Sequence, residues 1–69
     1  MEHERRRGME RARAHLARAE SELEAAQRFL DPRTDDESEM DLVRAIANAR
    51  TSVGDALETV RSILGEPGG

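Results

Sequence analysis

Apolar residues recur at alternating steps of three and four through the first half of the chain, which is the spacing of one face of an α-helix. The series begins at Met9 and ends at Leu30, and alanine alternates with a larger residue throughout. A half-buried strand would instead place apolar residues at every second position. The spacing therefore predicts a long helix with one apolar stripe, made of Met9, Ala12, Leu16, Ala19, Leu23, Ala26 and Leu30.

The second half of the chain repeats this scheme. Its stripe also alternates small and large layers and comprises Leu42, Ile46, Ala49, Val53, Ala56, Val60 and Ile63. Pro32 ends the first helix because it cannot continue a helix and restricts Asp31 before it. The connection between the two predicted helices is about four residues long, and a connection of that length leaves neighbouring helices antiparallel. We therefore predict an all-α helical hairpin with helix 1 over about 4–30, a turn at 31–34 and helix 2 over about 35–64.

The predicted helices have identifiable ends. Thr34 and Glu37 have the spacing of a capping box at the start of helix 2, and Ser38 is an alternative cap. Gly65 followed by Pro67 is a usual stop signal, so residues 65–69 are expected to form a flexible tail. At the other end, arginines oppose the helix dipole, and we expect residues 1–8 to form a frayed basic N-terminus.

A hairpin of 69 residues has little core of its own, and the absence of cysteine removes disulfides as a means of stabilising it. Helix 2 carries a second apolar stripe beside the first, so we predict a homodimeric four-helix bundle with this second stripe at the dimer interface. The alternative is that the stripe is the shoulder of one wide intramolecular core. The predicted interface residues are Met40, Val43, Ala47, Gly54, Leu57 and Leu64.

Charge is distributed unevenly along the chain. Residues 1–18 hold six Arg and three Glu, a net +3, whereas residues 31–41 hold six acids and one Arg, a net −5. These segments lie at opposite ends of the predicted hairpin. An antiparallel dimer would bring each basic end beside an acidic turn, so charge favours that orientation modestly.

The arginines of helix 1 are the residues that could meet a nucleic acid or an acidic partner, because phosphate groups are recognised by clustered basic side chains. Against this reading, the chain carries a net charge of −4 and no aromatic residue lies among the arginines. A solvated or protein-facing basic surface is the favoured interpretation. The candidates are Arg5, Arg6, Arg7, Arg11, Arg13 and Arg18.

No pattern typical of catalysis, nucleotide binding or calcium binding occurs in the chain. His3 and His15 are too far apart to share neighbouring helical turns, so we expect no metal and no cofactor. We predict a small interaction protein, an adaptor or regulator and not an enzyme, with nucleic-acid binding as the alternative. The use of arginine for all basic residues suggests a bacterial origin, and no apolar run suggests a membrane span or signal peptide, which leaves the cytoplasm as the expected location.

Overall fold

Two helices pack against each other as an antiparallel hairpin in the computed structural model, which describes residues 2–65. Helix α1 spans Glu2–Gln27 and helix α2 spans Glu37–Leu64. The described part of the chain contains no strand. The hairpin is a rod with extents of 51 × 18 × 15 Å. The predicted fold class is confirmed for the single chain, while dimerisation stays a prediction.

Helix α1 begins and ends earlier than predicted. It starts at Glu2, where the acidic side chains of Glu2 and Glu4 face the positive end of the helix dipole. It ends at Gln27, because the next three backbone N–H groups bond to carbonyls three residues back, from Arg28 to Ala25 onwards, at 3.1–3.2 Å. Such bonds tighten the last turn ahead of Pro32. Fraying of residues 1–8 is a property of their motion and stays a prediction.

The start of helix α2 differs from the predicted capping box. Asp36 is the N-cap, since its Oδ1 accepts hydrogen bonds from the backbone N–H groups of Ser38 at 2.8 Å and Glu39 at 3.2 Å. Thr34 lies two residues before Asp36, and its Oγ1 accepts a hydrogen bond from the Asp36 backbone N–H at 3.1 Å. Thr34 therefore shapes the turn, and the short carboxylate of Asp36 satisfies the first free donors of the helix.

Helix α2 ends at Leu64, as the glycine signal predicts. Gly65 has a φ of 75°, and its N–H bonds to the carbonyls of Arg61 and Ser62. A side chain with a Cβ rarely adopts that conformation, which explains glycine here. Arg6 Nη2 also donates to the Leu64 carbonyl at 3.2 Å and joins the two ends of the hairpin. The predicted tail beyond Gly65 lies outside the described residues.

Buried side chains of the described residues belong to one segment of α2. Leu57, Val60 and Leu64 are 2%, 8% and 6% exposed, while α1 contributes half-buried side chains and none fully buried. Leu42 and Ile63, which the sequence places in the helix 2 stripe facing helix 1, are instead 49% and 59% exposed. Helix α2 is therefore rotated about its axis relative to the prediction. That rotation buries Leu57 and Leu64 fully while Ala49 and Ala56 stay half-buried, which removes more apolar area from water.

Candidate functional site

The predicted dimer stripe lies mainly inside the hairpin. Leu57 and Leu64 are already buried within one chain, so burial in the hairpin does not favour their assignment to a dimer interface, which stays a prediction. Met40, Val43 and Gly54 are half-buried, and Ala47 alone among the six is exposed. The alternative of a wide intramolecular core accounts for this stripe, because the rotated helix directs it toward α1.

Gly54 faces a side chain of its own chain. A Cβ built at this position would lie 3.8 Å from Oε2 of Glu20, an ordinary van der Waals contact. Glu20 on α1 and Gly54 on α2 are thus neighbours on one side of the hairpin. Nothing in this contact requires a glycine.

Replacing Gly54 with alanine is expected to raise the free energy of unfolding by about 1 kcal/mol, because glycine costs about that much inside a helix and the new methyl group meets no clash. Urea denaturation followed by circular dichroism measures the change. Gly8→Ala is a matched control, since a Cβ built at Gly8 meets no atom within 4 Å. It should raise the free energy of unfolding through helix propensity alone. Gly65→Ala should instead destabilise the chain through its positive φ. A loss of stability in Gly54→Ala would show that the glycine is required by close packing.

The six arginines do not share one surface. Arg6 is engaged with the Leu64 carbonyl, and Arg13 is half-buried. Arg7, Arg11 and Arg18 recur at helical spacing along the outer side of α1. Three consecutive arginines are spread about 100° apart around a helix, so the sequence itself contained the signal that this cluster divides.

The outer arginines also have acidic neighbours. Glu4 and Glu10 line the same open groove as Arg7 and Arg11. Carboxylates at this position oppose the approach of phosphate groups. The geometry of the described residues therefore does not strengthen the nucleic-acid prediction over the protein-facing one.

An uncharged face runs along one flank of α2, where Leu42, Ala45, Ser52 and Ile63 are exposed and Ala49 and Ala56 are half-buried. It begins at Leu42 and continues in steps of three and four to Ile63, with small residues between them. Charged residues make up 38% of the chain, yet none occurs at any step of this series. Its two ends are large exposed apolar side chains, Leu42 and Ile63. We name it the alanine face, and it comprises Leu42, Ala45, Ala49, Ser52, Ala56, Thr59 and Ile63.

The contact between Glu20 and Gly54 marks one side of the hairpin, and the alanine face lies on the other side. On α2, Gly54 and the alanine face fall on opposite flanks of the buried line through Leu57. On α1, Ala19 and Ala26 fall on the opposite flank of the contact line from Glu20. The small residues of the two helices therefore share the side of the hairpin that faces away from the Glu20 contact.

A polar pair crosses the hairpin near the turn. Arg50 Nη1 donates a hydrogen bond to Oε1 of Gln27, and Arg50 Nε is buried without a hydrogen-bond partner. Arg50 lies on the same line of α2 as Leu57 and is half-buried. A cation is thus held against α1 by a neutral amide, an arrangement that costs free energy.

An open groove lies at the end of the rod away from the turn. It is lined by polar and apolar residues together, among them His3, Arg5, Met9 and Ile63. Within residues 2–65, no group of His, Asp and Glu side chains is arranged to hold a metal ion. Neither α1 nor α2 is long and apolar enough to cross a membrane.

Comparison with known proteins identifies no relative of this chain. No protein-family model, no curated protein and no solved structure matches it. The functional proposal therefore rests on the geometry of the hairpin.

Proposed function

We propose that this chain is a small interaction protein that associates with a second copy and acts as an adaptor or regulator in the bacterial cytoplasm, docking another protein on its charged outer surfaces. The observation that carries the proposal is the exposure of Leu42, Ile63 and Phe29, at 49%, 59% and 86%. Among the described residues three side chains are buried and three large apolar ones are exposed, so the exposed ones are the apolar area that a partner could cover.

The thin core supports the same proposal. Leu57, Val60 and Leu64 are the buried side chains of the described residues, and small domains without staples commonly gain stability from association. The fold class contributes nothing further, since helical hairpins serve many functions. The proposed role thus comes from the exposed surface alone.

Sedimentation equilibrium over a range of concentrations tests this proposal. We expect a species of twice the 7.7 kDa chain mass at tens of micromolar, dissociating on dilution with a parallel loss of helical circular dichroism. The dissociation should follow mass action, because a partner that binds only the folded chain stabilises it. A monomer with full helicity at tens of micromolar would contradict the proposal.

Nucleic-acid binding is the competing function, and it has its own measurement. Fluorescence anisotropy with labelled RNA and DNA at low salt should show no binding if the basic surface faces protein or solvent. Salt-sensitive binding that is lost in a variant carrying Arg7→Ala, Arg11→Ala and Arg18→Ala, and retained in Arg33→Ala, would replace our proposal.

A further inference from the structure

We infer that the alanine face binds the alanine face of a second copy in antiparallel orientation, with the two-fold axis passing close to Ser52. This inference rests on the proposed self-association and adds the surface, the orientation and the register. The sequence predicts the dimer contact on the side of α2 that carries Gly54. The inferred contact lies on the opposite side.

The alanine face is self-complementary when its direction is reversed. Ser52 occupies its centre, Ala49 and Ala56 flank the centre at nearly equal distances, and Leu42 and Ile63 stand at the two ends. Antiparallel pairing about Ser52 therefore sets Leu42 of each copy against Ile63 of the other. Small residues meet small residues between these ends, which lets two helices approach closely. Parallel pairing would also superimpose small residues but would set Leu42 on Leu42 and Ile63 on Ile63.

The polar atoms of this face do not oppose its burial. The Thr59 hydroxyl, which lies between Ala56 and Ile63, donates to the Asp55 carbonyl at 2.9 Å. Thr59 therefore presents no unpaired donor to a second helix. Ser52 is the remaining hydroxyl, and near a two-fold axis it faces the same hydroxyl of the second copy.

Charge selects the orientation. Residues 1–18 carry a net +3 at the open end of the rod, and residues 31–41 carry a net −5 at the turn. The antiparallel arrangement sets each positive end beside the negative end of the other copy, whereas the parallel arrangement stacks like charges. Salt screens this charge preference, but it favours the same antiparallel orientation as the pairing of Leu42 with Ile63.

Disulfide trapping tests the surface and the register, because the natural chain has no cysteine and each introduced thiol is alone. Ser52→Cys should form a covalent dimer on mild oxidation, since sulfur atoms near the axis can approach within disulfide range. Ala56→Cys alone should not, because its equivalent in the second copy is displaced by about 10 Å along the helix. An equimolar mixture of Ala49→Cys and Ala56→Cys should give the mixed disulfide.

The outcomes separate this inference from the proposed function. Efficient trapping of Ala56→Cys alone would mean a parallel dimer, and trapping of Ala47→Cys in place of Ser52→Cys would mean that the opposite side associates. Either result in a chain that sediments as a dimer overturns the inference and leaves the self-association intact. A monomeric natural chain overturns both.

A non-covalent measurement covers the case in which a cysteine variant folds poorly. Ile63→Glu places a charge at both ends of the proposed interface and should raise the dimer dissociation constant at least about 100-fold, equivalent to about 2.7 kcal/mol. Ala47→Glu is the matched control on the opposite side of α2 and should change it by less than about threefold. Equal effects of the two variants would contradict the proposed surface.

Discussion

Replacing Leu57 with alanine is expected to lower the free energy of unfolding by about 2–5 kcal/mol, the range for truncating a buried leucine. Leu57 is 2% exposed and is the most buried of the three core side chains. A domain of this size has a total stability of about 3–10 kcal/mol. The loss is therefore a large fraction of the total, and the variant should lose its helical circular dichroism at a much lower urea concentration than the natural chain.

Glu58→Ala is the control for this experiment. Glu58 is next to Leu57 on α2 but is exposed and lies outside the alanine face, so the loss should not exceed about 0.5 kcal/mol. Urea denaturation of both variants gives the comparison. A helical Leu57→Ala chain that has lost only its ability to associate would return Leu57 to the dimer interface and contradict the hairpin core.

Replacing Arg50 with leucine is expected to raise the free energy of unfolding by about 1–2 kcal/mol. The change removes a buried Nε that has no hydrogen-bond partner, and such a group costs about 1–3 kcal/mol. Leucine also adds apolar area on the line of α2 that faces α1. Gln27, left without its partner, lies at the end of α1, where water can replace the guanidinium.

Gln27→Leu should have the opposite sign. It removes the acceptor of the Arg50 Nη1 hydrogen bond and leaves a half-buried cation unpaired, at a loss of about 1–2 kcal/mol. Thermal and urea denaturation of both single variants and the double variant measure the coupling. A loss of stability in Arg50→Leu would mean that the guanidinium contributes more through its hydrogen bond than its buried Nε costs.

Much of the fold followed from local chemistry. Apolar spacing predicts both helices, Pro32 predicts the break, and Gly65 predicts the end of α2, because each acts through the backbone of nearby residues. The N-cap was assigned wrongly because Thr34, Asp36 and Ser38 are all good caps. Backbone geometry in the turn, which depends on the docking of the two helices, selects Asp36.

The rotation of α2 could not be read from spacing. Its apolar arc is wider than one neighbouring helix covers, so two rotations satisfy the same periodicity. Choosing between them requires knowing which side chains fill the space against α1, and the structure buries the leucines at 57 and 64 fully and the alanines at 49 and 56 only in part. The uncharged series from Leu42 to Ile63 was visible in the sequence but was interpreted as part of the inner stripe.

The position of the core has a consequence for how the chain folds. Leu57, Val60 and Leu64 lie in the last two turns of α2, farthest along the chain from the turn, and they pack against the other end of the sequence. If the hairpin closes from the turn outward, no side chain becomes fully buried until these three residues meet α1. The chain therefore loses the conformational entropy of closing a long loop before it gains its buried core. During synthesis, the N-terminal part of the α1 stripe stays uncovered until Leu64 has left the ribosome.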